Sequence, residues 1–265
     1  MRTLLQAMLL PTLRRLQRAE GVLLAINASI ILTHPSSPLR MLIQLALSAV
    51  VLALLYAYND VYDCEADLEN PKKDRELVQL LVAQRDRIVR VLLVLFVVAV
   101  VVAFLALGTS SALAVAAVLG INVAYSHVFK RTVVLDVLWV GLCGGTYILT
   151  PGIPLDARIV LLVTLMTGAS HVFQTLGDRT VDAGNSVGTT AVVSPRLAFT
   201  LLVAFCAVAA WVVGDYFGPV LALTAFVPVL AQVITKDAER AWLLSKVYFG
   251  VLWLALLFFA DVSSV

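Results

Sequence analysis

A nine-residue stretch, NDVYDCEAD at positions 59–67, holds four acids and one amide directly after the apolar run MLIQLALSAVVLALLYAY. Asn59, Asp63 and Asp67 are spaced four residues apart, so on a helix they lie along one face. Like charges at that spacing repel one another and destabilise a helix unless a cation lies between them. Carboxylate and amide oxygens are the hard ligands that Mg²⁺ prefers. The spacing therefore predicts a divalent-metal site at the end of a membrane helix.

A second acidic motif, DRTVD at positions 178–182, again places two acids, Asp178 and Asp182, four residues apart. Gly184 and Gly188 follow and predict that the helix ends soon after. One such motif alone is typical of a solvated helix end, but two in one chain favour a metal site. Mg²⁺ is usually held by one or two carboxylates together with phosphate oxygens. Two acidic motifs facing each other across a cavity would suit a diphosphate bridged by metal ions.

The elements that carry these motifs have the composition of membrane helices. Of the 265 residues, 61% are hydrophobic and 14% are charged, with a mean hydropathy of +0.98, whereas soluble domains carry about 25% charged residues. The apolar blocks are near the ~20 residues that span a bilayer as a helix. We therefore expect an all-α integral membrane protein, a bundle of about nine transmembrane helices forming one domain over residues 1–265. The predicted spans are 21–33, 41–58, 88–107, 112–128, 133–150, 159–173, 197–213, 219–234 and 242–259.

The basic residues predict the orientation of this bundle. With the N-terminus in the cytoplasm, all but two of the 19 lysines and arginines fall on the inner face, as the positive-inside rule requires. The exceptions are Arg40 and Arg158, and both acidic motifs fall on the inner face. The three cysteines are scattered and give neither a metal-ligand spacing nor a disulfide framework. The expectation is a multi-pass protein of the cell inner membrane, with its site on the cytoplasmic side and no nucleic-acid partner.

Three segments resemble the UbiA superfamily of intramembrane prenyltransferases. NDVYDCEAD is similar to the family pattern NDxxDxxxD, YSHVFKRTVVLDVL to YSxxxKRxxLLDVL, and DRTVDAGNSVGTTAV to DxxxDxxxGxxT, in family order over residues 59–192. The chain departs from the family after the first motif, where PKKDRELVQLLVAQ has Glu76 at the usual proline position of KxxRPxASG. The resemblance implies a nine-helix bundle around a central lipid-open cavity. It also implies a Mg²⁺ site whose ligands are Asn59, Asp60, Asp63, Asp67, Asp178 and Asp182.

Basic and aromatic residues near the motifs are candidate catalytic groups. Cations beside a diphosphate stabilise the charge that grows on the leaving group, and the candidates are Lys73, Arg75, Lys130 and Arg179. Contact with lipid headgroups is the alternative role for each. The ring of Tyr125 is a candidate to stabilise an allyl cation through its π face, or else belongs to the interfacial aromatic belt. His171 shares a helix face with Asp178 and is either a base for the acceptor or a hydrogen-bonded structural residue.

The activity that the resemblance implies is Mg²⁺-dependent transfer of an isoprenyl group from an isoprenyl diphosphate to a lipid or aromatic acceptor. One alternative is a UbiA-type terpene cyclase, in which the cation closes on its own double bonds. Another is phosphoribosyl transfer to a polyprenyl phosphate. A cation channel or transporter is a different class, and it is disfavoured because the acids lie on one side and none appears at mid-membrane.

Overall fold

The computed structural model describes residues 21–34, 36–68, 74–184 and 188–259, and almost all of this part is helical, with no β-strand. Two short 3₁₀ turns occur at Phe129–Arg131 and Leu223–Phe226. The α-helices are α1 (Val22–Thr33), α2 (Pro38–Asp67), α3 (Arg75–Leu107), α4 (Thr109–His127), α5 (Leu135–Tyr147), α6 (Ala157–Gly184), α7 (Thr190–Val193), α8 (Pro195–Phe217), α9 (Pro219–Ala222), α10 (Val227–Thr235) and α11 (Ala238–Phe259).

Six of these helices, α2, α3, α4, α6, α8 and α11, are long and apolar enough to cross a membrane. The chain is therefore an all-helical, multi-pass membrane protein. The other three predicted spans coincide with shorter elements. Helix α1 has 12 residues and α5 has 13. The predicted span 219–234 is divided into α9, a 3₁₀ turn and α10, because Pro228 lacks the N–H that a continuous helix needs. The count of about nine spans stays a prediction.

Serine, proline and glycine residues cap the long helices at the points where the apolar runs begin or end. The Ser37 hydroxyl accepts a hydrogen bond of 3.3 Å from the Arg40 N–H, and Pro38 occupies the first turn of α2. Helix α3 ends at Gly108, whose φ of 101° lies in the region that favours glycine. These local signals set the lengths of the helices and so the positions of the motifs at their ends.

One compact unit contains the described residues up to Ser126 together with the later segment Tyr147–Ile153. That segment is irregular, and its backbone carbonyls are buried. Asn27, Gln44 and Ser111 donate side-chain hydrogen bonds of 2.5–3.3 Å to these carbonyls. Irregular backbone is tolerated at membrane depth only where its polar groups are paired inside the protein. The three side chains therefore allow a non-helical segment to pack within a helical unit.

The other unit contains residues 127–146 and the chain from Pro154 onward. Its helices α5 and α6 approach closely through glycines of the sequence GLCGG. A β-carbon on Gly144 would overlap the Thr167 side chain, and one on Gly141 would lie 2.8 Å from the Thr164 carbonyl oxygen. Membrane helices without a hydrophobic driving force associate through such close backbone contact between small residues. The glycines thus position α5 against the helix that carries the second acidic motif.

An ion cluster joins the start of α6 to the end of α8. Arg158 pairs with both Asp156 and Asp215, and its guanidinium lies 4.9 Å from the centre of the Tyr216 ring. The Tyr216 hydroxyl donates to Asp156 at 3.0 Å. Hydrogen bonds from Arg158 hold the pKa of Asp156 at about 2, below its usual value. The stabilisation linked to this depressed pKa is present at neutral pH and is lost only as the pH falls toward about 2.

Candidate active site

The first acidic motif occupies the last turns of α2, which continues as an unbroken helix to Asp67. Asn59, Asp63 and Asp67 are half-buried and lie along one helix face, as their spacing of four predicts. We call these three residues the acid stripe. Asp60 lies on another face, among buried side chains, with 6% of its surface exposed. Three of the four ligands predicted on this helix therefore share one partly exposed face.

Contacts away from the acid stripe hold this end of α2 against α3. Arg85 on α3 pairs with Glu65 at 3.1 Å and lies 5.7 Å from the centre of the Tyr62 ring. One turn earlier, the Tyr58 and Phe96 rings pack with centroids 5.5 Å apart. Glu65 is exposed and Arg85 is half-buried, so their ion pair itself adds little stability. The aromatic packing and the pair together fix the direction in which the helix end projects.

A buried serine links α4 to the acid stripe. The Ser126 hydroxyl oxygen lies 2.9 Å from the Asn59 side-chain oxygen and 3.0 Å from the Asn122 carbonyl oxygen. The Asn122 amide in turn donates to the Leu55 carbonyl at 3.2 Å. Tyr125, a predicted catalytic residue, is 9% exposed beside Ser126. The YS pair of the sequence YSHVFK is thereby brought to the helix end that carries the first motif.

Of the two basic candidates after the first motif, the structure describes only Arg75. Lys73 lies outside the described residues. Arg75 is exposed and opens α3, and Asp74 caps that helix by accepting a 3.2 Å hydrogen bond from the Leu77 N–H. Glu76, at the family's proline position, lies in the first turn, where a negative charge is favourable. An Asp cap with a Glu in the first turn therefore starts this helix.

The second acidic motif occupies the last turns of α6, which ends at Gly184 as the sequence predicts. Asp178 and Arg179 are exposed, and Asp182 is half-buried. One and two turns earlier on the same helix, the His171 ring contacts the Gln174 side-chain oxygen at 3.3 Å. The charges of Asp178, Lys130 and Asp136 all act on that ring. Asp136, Lys130 and Asp178 are therefore all close enough to His171 to interact with it electrostatically.

Lys130 lies in the 3₁₀ turn Phe129–Arg131 and is half-buried. Six residues later comes Asp136, which belongs to neither acidic motif. It is fully buried and is bonded to Thr190 of the DRTVDAGNSVGTTAV segment. In the sequence it occupies the aspartate position of the pattern YSxxxKRxxLLDVL, but nothing local indicates its partner, which lies 54 residues away in the chain.

The oxygen ligands of the two motifs suit Mg²⁺. Within the described part of the chain, no three His, Cys, Asp or Glu side chains are close enough together to hold a metal ion. Mg²⁺ usually takes one or two carboxylates and completes its octahedral shell with water and phosphate oxygens. Carboxylates four residues apart, with an amide oxygen in the same row, supply that limited set. The residues therefore fit an ion that draws its remaining ligands from a phosphate group.

An apolar crevice lies within the second unit, between α6, α8 and α11. Leu162, Met166, Phe205, Tyr248 and Leu252 are among its lining residues. Among the predicted site residues that the structure describes, none lines this crevice. The central lipid-open cavity of the sequence-based prediction is a different feature and stays a prediction.

The sequence matches the UbiA prenyltransferase family over residues 22–231, a range that includes both acidic motifs and the YSHVFK segment. The chain therefore belongs to the UbiA prenyltransferase family, and the resemblance expected from its three motifs is confirmed. Comparison with curated protein sequences finds no match.

Solved structures share the fold over nearly the whole chain. A digeranylgeranylglyceryl phosphate synthase is 14% identical over 97% of this chain and 98% of its own, with a TM-score of 0.73. A UbiA homologue from Archaeoglobus fulgidus, bound to GPP and Mg²⁺, is 16% identical over 94% and 98%, with a TM-score of 0.71. An apo UbiA homologue from Aeropyrum pernix K1 is 19% identical over 89% and 96%, with a TM-score of 0.57. At these identities the likeness shows a common fold.

Proposed function

We propose that this protein transfers an isoprenyl group from an isoprenyl diphosphate to a lipid or aromatic acceptor, with Mg²⁺ as cofactor. The observation that carries the proposal is the acid stripe, which continues α2 beyond its apolar run as an unbroken helix in a chain of the UbiA family. The Archaeoglobus fulgidus homologue has been solved with DMAPP or GPP and Mg²⁺, and with Cd²⁺. A diphosphate and a divalent cation are therefore the ligands that the family relationship supports.

The proposal assigns metal binding to the oxygen ligands of both motifs. The proposed ligands are Asn59, Asp60, Asp63, Asp67, Asp178 and Asp182. Bound Mg²⁺ would neutralise charge on the diphosphate and so favour its departure. Asp63 and Asp67 are the clearest candidates, because both are half-buried on the partly exposed face of the stripe.

The proposal assigns stabilisation of the leaving group to cationic side chains. The proposed residues are Lys73, Arg75, Lys130 and Arg179. Each would donate hydrogen bonds to diphosphate oxygens, whose negative charge increases as the carbon–oxygen bond breaks. Lys130 is the best supported, because its charge acts in the same neighbourhood as that of Asp178.

The prenyl carbocation left behind must meet the acceptor before it meets water. We assign the Tyr125 ring to stabilise that cation through its π face, and the apolar helices to exclude water from it. Tyr125 is 9% exposed and precedes Ser126, whose hydroxyl contacts Asn59 of the acid stripe, which supports this assignment. The proposal includes a central lipid-open cavity for the prenyl tail and about nine membrane crossings, counting the three shorter elements.

The proposed orientation places both acidic motifs on the cytoplasmic side of the cell inner membrane. Its support is the distribution of the 19 lysines and arginines, of which only Arg40 and Arg158 fall on the other side. Arg158 is paired with two carboxylates, which lowers the positive charge on that side further. Residues 1–265 act in this proposal as a single membrane-embedded domain.

The alternatives differ from transfer in what becomes of the substrate. A terpene cyclase also releases diphosphate but needs no acceptor, and its product keeps the mass of the prenyl group less one proton. Phosphoribosyl transfer consumes a polyprenyl phosphate instead of an isoprenyl diphosphate. A channel consumes neither. The substrate consumed and the mass of the product therefore distinguish prenyl transfer, cyclisation, phosphoribosyl transfer and a channel.

The test is incubation of the purified protein with isoprenyl diphosphates and Mg²⁺, with and without a lipid or aromatic extract. We expect diphosphate release that depends on the extract and a product whose mass is the sum of acceptor and prenyl group. EDTA should stop the reaction, and added Mg²⁺ should restore it. Unchanged turnover in EDTA would overturn the metal assignment, and a failure to consume any isoprenyl diphosphate would overturn the proposed function.

A further inference from the structure

A fully buried carboxylate, that of Asp136, lies in the first turn of α5. One of its oxygens accepts from the Val137 N–H at 2.9 Å and from the Thr190 hydroxyl, and the other accepts from the Thr190 N–H at 2.8 Å. A buried carboxylate is stable only when donors of this kind surround it. Two of the three donors belong to one residue from a distant part of the sequence.

Thr190 also holds an unusual backbone conformation in place. Its hydroxyl oxygen accepts a 2.7 Å hydrogen bond from the Val134 N–H. Val134 has a φ of 70°, a left-handed conformation that a β-branched residue rarely adopts. Strained backbone of this kind persists only when its surroundings determine it, and it clusters at functional sites. We call Val134, Asp136 and Thr190 the clasp.

The clasp joins the loop that contains Lys130 to the segment Gly188–Thr190. Before Val134 comes the 3₁₀ turn that contains Lys130, and Gly188–Thr190 follows the second acidic motif along the chain. The loops also run side by side, since a β-carbon on Gly188 would lie 3.9 Å from the Arg131 carbonyl oxygen. The clasp therefore fixes the Lys130 turn against the segment Gly188–Thr190, which lies a few residues after the second motif in the sequence.

We propose that Asp136 and Thr190 are positioning residues. They hold Lys130 at a fixed position relative to the second acidic motif, so that both can bind the diphosphate. This inference rests on the proposed function, because the diphosphate is the ligand that both groups would share. Without the Thr190 hydroxyl, Val134 relaxes to a negative φ and redirects the chain four residues after Lys130. An error of about 1 Å in the placement of such a group is enough to lower activity roughly 100-fold.

The central experiment compares Thr190→Val, which keeps the shape but removes the hydroxyl, with Thr190→Ser, which keeps the hydroxyl. We expect Thr190→Val to raise KM for the isoprenyl diphosphate about 10-fold or more and Thr190→Ser to remain near wild type. Val134→Gly added to Thr190→Val should recover part of the loss, because glycine adopts a positive φ without strain. Thr200→Val is the matched control, since its exposed hydroxyl bonds only to the Arg196 carbonyl of its own helix.

A second measurement follows the Lys130 turn without any substrate. The rings of Phe129 and Trp139 lie with centroids 3.9 Å apart, so emission from Trp139 reports on the turn. The Trp139 emission is measured in a protein in which the other tryptophans, Trp211, Trp242 and Trp253, are replaced by phenylalanine. We expect Thr190→Val to shift that emission and Thr190→Ser and Thr200→Val to leave it unchanged.

The outcomes separate failure of the clasp from failure of the proposed function. If Thr190→Val lowers the melting temperature but changes neither KM nor Trp139 emission, the clasp is only structural and the inference is wrong. Equal losses in Thr190→Val and in its double variant with Val134→Gly would also overturn it. If the wild type does not consume isoprenyl diphosphates, the proposed function fails. In that case an unshifted Trp139 emission in Thr190→Val still rejects the clasp as a device that positions the turn.

Discussion

At the scale of single residues, acids close together in the sequence have different surroundings. Asp63 and Asp67 are half-buried on the acid stripe, whereas Glu65 between them is exposed and paired with Arg85. A substitution on the stripe removes a proposed metal ligand, and one at Glu65 removes a surface ion pair. This contrast within one helix turn allows ligand loss to be compared with loss of an ordinary surface charge.

Asp63→Ala and Asp67→Ala should each lower turnover about 100-fold or more, because each removes an anionic ligand from the proposed metal site. Neither should change the melting temperature much, since both side chains lie at the end of a helix and outside its packed core. Glu65→Gln is the control and should keep near-normal turnover. The measurement is diphosphate release at saturating Mg²⁺, and wild-type rates in both alanine variants would reject the assignment.

The Ser126 hydroxyl orients the Asn59 amide. It donates to the Asn59 side-chain oxygen at 2.9 Å and also lies 3.0 Å from the Asn122 carbonyl oxygen. An amide oxygen has two lone pairs, so Asn59 can accept this hydrogen bond and still offer its second lone pair to a cation. Ser126 therefore fixes the direction in which the Asn59 oxygen faces.

Ser126→Ala should therefore raise the Mg²⁺ concentration for half-maximal activity about 10-fold, which is typical when a residue that orients a metal ligand is lost. The maximal rate at high Mg²⁺ should change less. Direct titration with Mn²⁺, followed by electron paramagnetic resonance, gives the same comparison without turnover. Thr200→Ala is the control, and an unaltered Mg²⁺ requirement in Ser126→Ala would contradict the role.

Two neighbouring residues of the second motif should respond differently to Mg²⁺. Asp182→Asn keeps the shape but loses the charge that attracts the cation, so high Mg²⁺ should restore part of its activity by mass action. Arg179→Ala removes a cation proposed to act on the leaving group directly, so Mg²⁺ should not restore it. Diphosphate release is measured against Mg²⁺ for both variants and the wild type. Three identical curves would remove this motif from the site.

The sequence could predict the acid stripe because its information is local. The spacing of Asn59, Asp63 and Asp67 depends on a single helix, and that helix does continue to Asp67. Asp136 could not be assigned in the same way, because its role arises from contact with Thr190, far away in the chain. The left-handed φ of Val134 was also beyond prediction, since no glycine marks it. Long-range hydrogen bonds leave no spacing pattern.

At the scale of helices, composition predicted the long spans and the short helix α1 well, and the bounds of the elements at 133–150 and 219–234 less well. Hydropathy counts apolar residues and does not register a break in the backbone. The predicted span 133–150 extends past the end of α5 at Tyr147, because the next residues turn and bond to side chains of the first unit. The predicted span 219–234 contains Pro228 and is broken into pieces. Hydrogen-bond satisfaction of the backbone, and not hydrophobicity, sets these limits.

The contact between α5 and α6 gives a prediction about stability. Gly144→Ala places a methyl group into the Thr167 side chain and should destabilise the protein by about 1–3 kcal/mol, the usual effect of overpacking. Gly120→Ala is the matched control, because Gly120 is also inside a helix but has no atom within 4 Å of the new methyl group. Thermal unfolding in detergent is the measurement. Equal melting temperatures for the two variants would show that α5 is free to move away from α6.

At the scale of the whole molecule, the charge distribution predicts the orientation in the membrane. A cysteine at Ala183, beside the second motif, should react with an impermeant maleimide only from the cytoplasmic side. A cysteine at Leu39, which is 68% exposed at the start of α2, should react only from the opposite side. Both are made in a background without Cys64, Cys143 and Cys206. The reverse labelling pattern would overturn the orientation and the cytoplasmic location of the site.

The order in which the first unit is assembled differs from the order in which the chain is made. Helices α1 to α4 leave the ribosome first, but Tyr147–Ile153 follows only after α5. Until then Asn27, Gln44 and Ser111 lack the carbonyls that they bond in the finished protein. Polar groups without partners are unfavourable in hydrocarbon. Asn27 can bond Ser48 meanwhile, but Gln44 and Ser111 gain the carbonyls of Pro151 and Thr150 only later. We therefore expect the early helices to remain at the translocon, or to be shielded by an insertion chaperone, until residue 153 has emerged, and a nascent chain stopped before Tyr147 should remain a target for membrane quality control.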